Sequence, residues 1–318
     1  MDHIPQIDAD FISSYTHYPD LIEAIKQGFA ADKTFLPPRH HHTLPTPHGT
    51  TESTLLLMPA WNSPKDGGVK IITVYPDNNQ FGVPSINGVY LYFDGARGIL
   101  KAIFDAKELT TKRTAATSAL ASSFLSKLNS QTLMMVGTGA LAKDLILAHA
   151  SLRPIKQVYV WGRDYQKAEA LSRKFEQEDF IVEPIPEIKE YLPKVDIVSC
   201  ATHSQDPLVE GDYLVPGQHL DLVGAYKPDM RESDDPCIRR SSVYVDTFQG
   251  ARESGDIELA MRGGLITKED IKSDLFGLCT ASAQGRNSDN EITLFKSVGH
   301  ALEDLVAARY YFNQITHD

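Results

Sequence analysis

Leu133-Met134-Met135-Val136 runs straight into Gly137-Thr138-Gly139-Ala140-Leu141-Ala142, and this junction constrains the fold more than any other stretch of the chain. A short apolar run that ends in G-x-G-x-x-A and opens into a helical pattern is the phosphate-binding turn of a dinucleotide fold. The first glycine permits the tight turn, the second lets the backbone approach a pyrophosphate, and the small third residue lets helix and strand pack closely. The N–H groups at the start of the helix expected over Ala140 to Leu152 then face the phosphates with a favourable dipole. Gly137, Thr138, Gly139, Ala140 and Leu141 are therefore candidate cofactor-binding residues.

The next strand, read at Gln157 to Trp161, bears on which dinucleotide binds. An acidic side chain at its tip accepts from the ribose hydroxyls of NAD, whereas an arginine meets the 2′-phosphate of NADP. Gly162 and Arg163 stand there, which favours NADPH; Asp164 is close enough in sequence to keep NADH open. Asp164 also reads as the cap of the helix expected from Tyr165 to Gln177.

At 318 residues the chain has room for two domains. No apolar run approaches the roughly 18 residues that cross a bilayer. The opening Met1-Asp2-His3-Ile4-Pro5 lacks the basic-then-apolar pattern of a secretory signal. A net charge of -11 argues against a nucleic-acid surface, which needs a basic stripe. Cys200, Cys237 and Cys279 are odd in number and widely spaced, so neither a disulfide framework nor a structural zinc is expected. A cytoplasmic location with no membrane partner follows as the expectation.

Before the glycine turn, Tyr18 to Ala31 carries apolar residues at helical spacing, and Leu36 to Gly49 reads as a Pro/His-rich loop. Strand character marks Thr54 to Met58, Val69 to Tyr75, Val89 to Phe93 and Gly98 to Phe104, the last two joined by Asp94-Gly95-Ala96-Arg97, a hairpin signal. Thr110 to Leu128 is helical and Ala-rich. After the turn, strands and helices alternate, with further strands at Ile181 to Glu183, Ile197 to Cys200, His219 to Val223 and Val243 to Asp246, as in a doubly wound parallel sheet. Leu294 to Phe312 reads as one amphipathic helix. The fold class is thus α/β: a Rossmann dinucleotide-binding domain over residues 116–292, inserted in a second α+β domain formed by residues 1–115 and 293–318. The cleft between such domains is the default active site.

Lys70 shares a strand face with Ile72 and Val74, where a lysine either snorkels to water along its stem or faces an anion. Arg113 lies near the expected start of a helix, against the dipole, in a place suited to gripping a carboxylate or simply to the surface. Arg39 carries no signal of its own. His40-His41-His42 and His48 do not converge on a metal and read as a solvated loop. Thr202 and His203 follow a strand end, where loops approach a cofactor.

Taken together, these segments resemble the ornithine cyclodeaminase/mu-crystallin family over nearly the whole chain. The resemblance rests on Leu57-Met58-Pro59-Ala60, Val69-Lys70, Lys112-Arg113-Thr114-Ala115-Ala116-Thr117-Ser118-Ala119, the G-T-G-A-L-A turn, Val243-Tyr244-Val245-Asp246, Glu253-Ser254-Gly255-Asp256 and Leu294-Phe295-Lys296-Ser297-Val298-Gly299. It implies a homodimer built through the second domain and chemistry on an α-imino acid. It also places Arg39, Lys70 and Arg113 on the family's substrate-carboxylate positions, with Lys70 and Arg113 as the catalytic candidates. Thr202 joins the cofactor-binding candidates.

Two departures from the cyclodeaminase pattern stand out. The aspartate those enzymes carry after the fifth Rossmann strand is replaced in Val223-Gly224-Ala225-Tyr226, and their glutamate two residues before Met-Pro is Leu56 here. Cyclodeamination needs a base near the amine, and tyrosine, with an unperturbed pKa of about 10, is a poor one. What remains is hydride transfer to a C=N bond, the imine reductase branch of the family. The expectation is an NAD(P)H-dependent reductase of a cyclic α-imino acid, Δ1-pyrroline-2-carboxylate or its piperideine homologue, placed in proline metabolism. The alternatives are an ornithine or lysine cyclodeaminase, an alanine-type dehydrogenase, and a non-catalytic NADPH-dependent binding protein of mu-crystallin type.

Overall fold

The computed structural model describes residues 4–31, 33–45 and 52–315. The chain divides into two compact units, residues 1–113 with 300–318, and residues 114–299. His48 lies outside the described residues.

The first unit begins with β1 (Gln6–Ile7), α1 (Ala9–Ser14) and α2 (Tyr18–Ala30). The apolar spacing of α2 is realised: Leu21, Ile22, Ile25 and Phe29 are all buried. There follow β2 (His40–Leu44), β3 (Ser53–Asn62), β4 (Asp66–Val74), β5 (Ile86–Asp94), β6 (Leu100–Asp105) and α3 (Ala106–Leu125). The strands form a six-stranded sheet in the order β1-β6-β5-β4-β3-β2, antiparallel except where β1 joins β6. The β5–β6 turn is closed by Asp94, whose carboxylate accepts from the N–H groups of Ala96 and Arg97. The Pro/His-rich stretch is not wholly a loop, because His40 to Leu44 pairs antiparallel with β3 as an edge strand.

The second unit runs through β7 (Thr132–Val136), α4 (Ala142–Leu152), β8 (Gln157–Trp161), α5 (Tyr165–Ser172), β9 (Ile181–Pro184), α6 (Ile188–Tyr191), β10 (Ile197–Cys200) and β11 (His219–Leu222). It continues with α7 (Asp235–Arg240), β12 (Ser242–Val245), α8 (Phe248–Ala251), α9 (Gly255–Arg262), β13 (Ile271–Asp274), α10 (Leu275–Cys279) and β14 (Thr293–Lys296). All eight strands are parallel, in the order β13-β12-β14-β11-β10-β7-β8-β9. Met134, Val136, Val198, Leu220, Leu222, Val243 and Leu294 are among its fully buried core. Both faces of such a sheet are covered, so its strands read as unbroken apolar runs.

One expectation fails here. Residues 293–296 do not begin the last helix; they form β14, inserted between β11 and β12. This strand therefore belongs to the dinucleotide sheet, and the second unit extends to Gly299. The helix itself, α11 (Ala301–Ile315), returns to the first unit and packs against α2 and across β3, β4 and β5. Among the described residues no helix is long and apolar enough to cross a membrane.

Candidate active site

In the first unit, strand alternation and register put Met58, Lys70 and Tyr90 side by side on one face of the sheet. Lys70 does not snorkel: it is 2% exposed, in the interior. Its Nζ lies 2.9 and 2.8 Å from the two carboxylate oxygens of Asp304 and 3.4 Å from Thr110 Oγ1. Arg113 is equally far from the surface reading. α3 starts at Ala106, so Arg113 sits well inside the helix and is 4% exposed. Its Nε donates to Asp304 at 2.9 Å and its Nη1 to Glu303 at 2.5 Å.

Glu303 and Asp304 come from the first turn of α11, where the helix dipole favours carboxylates, and both are fully buried. Arg39, just before β2, is close enough for its charge to act on both Lys70 and Asp304. The three cations named from the sequence thus converge. Burial drives the Lys70 ammonium down to about 8, against the pull of Asp304. Burial would raise Asp304, but Lys70 and Arg113 hold its carboxyl below the usual range. Arg309 fixes α11 through a two-point contact with Asp66 of β4, to which Tyr92 also donates at 2.9 Å.

In the second unit, the glycine turn has the form a pyrophosphate needs. Gly137 has φ +117°, and a Cβ there would meet the Ala201 carbonyl oxygen at 2.6 Å. A Cβ on Gly139 would meet nothing within 4 Å, so that side of the turn is open. Among the described residues no acceptor pairs with the N–H groups of Thr138, Gly139 or Ala140, and Leu141 before α4 makes no side-chain cap. Donors without partners beside open space are a fitting cradle for phosphate oxygens. At the tip of β8, Gly162 packs against Thr138 and Arg163 is exposed. Asp164 is used as a cap, accepting from Gln166 N at 3.1 Å. Thr202 follows β10, and its N–H and hydroxyl both donate to Glu232.

His40, His41 and His42 lie exposed on β2, and among the described residues no group of three or more His, Cys, Asp or Glu is arranged to hold a metal ion. His203 is exposed and meets Tyr226 edge-on, with ring centroids 5.7 Å apart.

Comparison with known proteins places the chain. The sequence model of the ornithine cyclodeaminase/mu-crystallin family matches residues 9–318. The chain belongs to this family. A member from Colwellia psychrerythraea, Delta(1)-pyrroline-2-carboxylate reductase, is 35% identical over 310 residues, 95% of this chain and 96% of that protein. Protein SAR DEFICIENT 4 of Arabidopsis thaliana is 39% identical over 281 residues, 86% of this chain and 85% of the relative. Among solved structures, Delta(1)-pyrroline-2-carboxylate reductase of Thermococcus litoralis, in complex with NADH and L-proline, matches with a TM-score of 0.91 at 26% identity. That match covers 99% of this chain and 98% of the other.

Within the family, this chain's two departures from the cyclodeaminase pattern have a physical consequence. Leu56 pairs with Ile72 on the face that carries Lys70, so that pair is apolar where a carboxylate would add charge. Burial and Asp229 push the Tyr226 hydroxyl above its ordinary value, further from use as a base at neutral pH. Sequence reasoning missed Glu303 and Asp304. Acidic residues in a first helical turn are ordinary dipole partners, and nothing local shows that these two are buried.

Proposed function

We propose that this protein is an NAD(P)H-dependent reductase of a cyclic α-imino acid, converting Δ1-pyrroline-2-carboxylate to L-proline. The observation that carries the reading is the buried cage of Lys70 and Arg113 on Asp304 and Glu303, with Arg39 beside it. Fixed, desolvated cationic donors recognise a carboxylate strongly and in one orientation. The names of the relatives support the same reading.

Arg113 supplies the planar donor set, and the carboxylates of α11 hold it in place. Lys70, titrating at about 8, is an ammonium at neutral pH and keeps a proton where an imine nitrogen can take it. Gly137 to Leu141 would hold the cofactor's pyrophosphate. The nicotinamide, when bound, supplies the hydride that reduces the C=N bond. Arg163, exposed at the tip of β8 while Asp164 is committed to its cap, supports a preference for NADPH over NADH. The six-membered Δ1-piperideine-2-carboxylate, giving L-pipecolate, differs by one methylene, which a pocket separates only weakly.

We also infer a homodimer. On the sheet face opposite Lys70, the register lines up Leu57, Ile71 and Val89 in one row and Pro59, Val69 and Leu91 in the next. These are only partly buried, with Val89 40% exposed. An apolar face of this kind is suited to an isologous contact. The buried thiols Cys200 and Cys237 suit a reducing, cytoplasmic setting.

A substrate panel tests the activity. NADPH oxidation is expected with Δ1-pyrroline-2-carboxylate, with none on pyruvate plus ammonia and no ammonia released from ornithine. Arg163→Ala is expected to weaken the use of NADPH more than that of NADH. Release of ammonia from ornithine, or tight NADPH binding with no imine turnover, would overturn the proposal.

A further inference from the structure

The two carboxylate oxygens of Glu232 serve two different loops. Oε1 accepts from the N–H and the hydroxyl of Thr202, at 2.7 and 2.9 Å, on the loop leaving β10. Oε2 accepts from the N–H groups of Gly224 and Ala225, at 2.7 and 3.2 Å, on the loop leaving β11. The loops touch so closely that a Cβ on Gly224 would fall on the Thr202 backbone. Glu232 is itself held. Its own N–H and that of Ser233 both donate to Asp256 at 3.0 Å, and Lys296 at the end of β14 lies 3.7 Å from Glu232 and 3.4 Å from Asp256. Glu232, Asp256 and Lys296 are all 0% exposed.

A fully buried charge cluster is weak support for stability, since an apolar core of the same volume does as well. Its position suggests another role. The strand order reverses between β7 and β10, and a dinucleotide lying across such a switch point leaves one mononucleotide on each half of the sheet. Arg163 marks the β8 side as the adenosine half, so the loops leaving β10 and β11 belong to the nicotinamide half. The same loop backs the glycine turn, because a Cβ on Gly137 would lie 3.2 Å from Thr202 Cγ2.

We propose that Glu232, braced by Asp256 and Lys296, is the positioning residue of the nicotinamide half, acting through the backbone of Thr202, Gly224 and Ala225. It rests on the reading of the second unit as a nicotinamide dinucleotide site. The role also accounts for two family segments that the chemistry leaves unused: Asp256 of Glu253-Ser254-Gly255-Asp256 holds the Glu232 backbone, and Lys296 of Phe295-Lys296-Ser297 sets one positive charge against the two carboxylates.

Calorimetric binding of two probes to the full chain tests it: NADPH, and 2′-phospho-ADP-ribose, which lacks the nicotinamide. Glu232→Gln keeps the shape but turns a donor toward N–H groups. It is expected to weaken NADPH about tenfold or more and to leave the fragment nearly unchanged. Equal weakening of both probes, or of neither, would overturn the proposal. Hydrogen exchange on the wild-type protein gives a check that needs no variant. The amides of Thr202, Gly224 and Ala225 are expected to be protected before any ligand is added; exchange at free-loop rates, with protection only on NADPH binding, would also overturn it. A wild-type protein that binds neither probe would remove the dinucleotide reading itself, whereas normal wild-type binding without the split would remove only the role of Glu232.

Discussion

Arg113 reaches two carboxylates through two different nitrogens, so its removal does more than delete a substrate contact. Arg113→Ala leaves Glu303 in the interior without this cation, and breaking a buried pair in this way costs about 3–5 kcal/mol. Denaturant unfolding is expected to show that loss. Arg113→Lys is the cleaner probe, since it keeps the charge but cannot span Asp304 and Glu303 with a planar group. It is expected to fold and to bind NADPH as the wild type does, while kcat/KM for the imino acid falls by about tenfold or more. Near-wild-type turnover in Arg113→Lys would show that the planar contact is unnecessary. Lys70 gives a pH signature. It is charged below about 8, so kcat/KM should fall as pH rises through that value, and Lys70→Arg should lose that limb of the profile. Between about 8 and its ordinary 10.5, native Lys70 binds fewer protons than the unfolded chain, so its own contribution to stability rises with pH. The titration of Lys70 itself therefore supplies no loss of stability that would mimic the expected fall in activity. A profile with the same limb in Lys70→Arg would assign it to the substrate. Arg39, Lys70 and Arg113 were named through the family resemblance, and their setting had no local sign. Lys70 and Asp304 are 234 positions apart, and no local pattern links them.

At the scale of elements, the glycine turn was the clearest signal in the chain, because strand, turn and helix each have a local cause. Its two glycines make a testable contrast. Gly137→Ala forces a side chain into φ +117° and toward the Ala201 carbonyl, and is expected to destabilise the fold. Gly139→Ala meets nothing in the protein, so its melting temperature should stay near that of the wild type while dinucleotide affinity drops sharply. Unchanged NADPH binding in Gly139→Ala would show that the open side of the turn is not where the pyrophosphate lies. What the sequence hid were short elements. β14 is four residues long and fully buried, and a short apolar run before a helix has no period that separates it from the helix. The polar edge strand β2 has little apolar alternation, and its pairing with β3 supplies what its own residues do not.

For the molecule as a whole, the discontinuous first unit was readable because α11 follows the dinucleotide sheet, though the boundary falls at Gly299 and not before β14. The apolar rows opposite Lys70 predict an assembly that one charge disrupts. Light scattering is expected to give twice the 35.2 kDa chain mass for the wild type and a monomer for Val89→Asp. A monomeric wild type would leave that face to some other partner. The proposed reaction delivers a hydride to the α-carbon of a cyclic imino acid. Incubation of the purified protein with Δ1-pyrroline-2-carboxylate and NADPH deuterated at C4 of the nicotinamide, followed by mass spectrometry and NMR of the product, traces that hydride. L-proline carrying deuterium at the α-carbon is the predicted result; proline without deuterium at that carbon with either C4 epimer of the cofactor, or no proline at all, would contradict it.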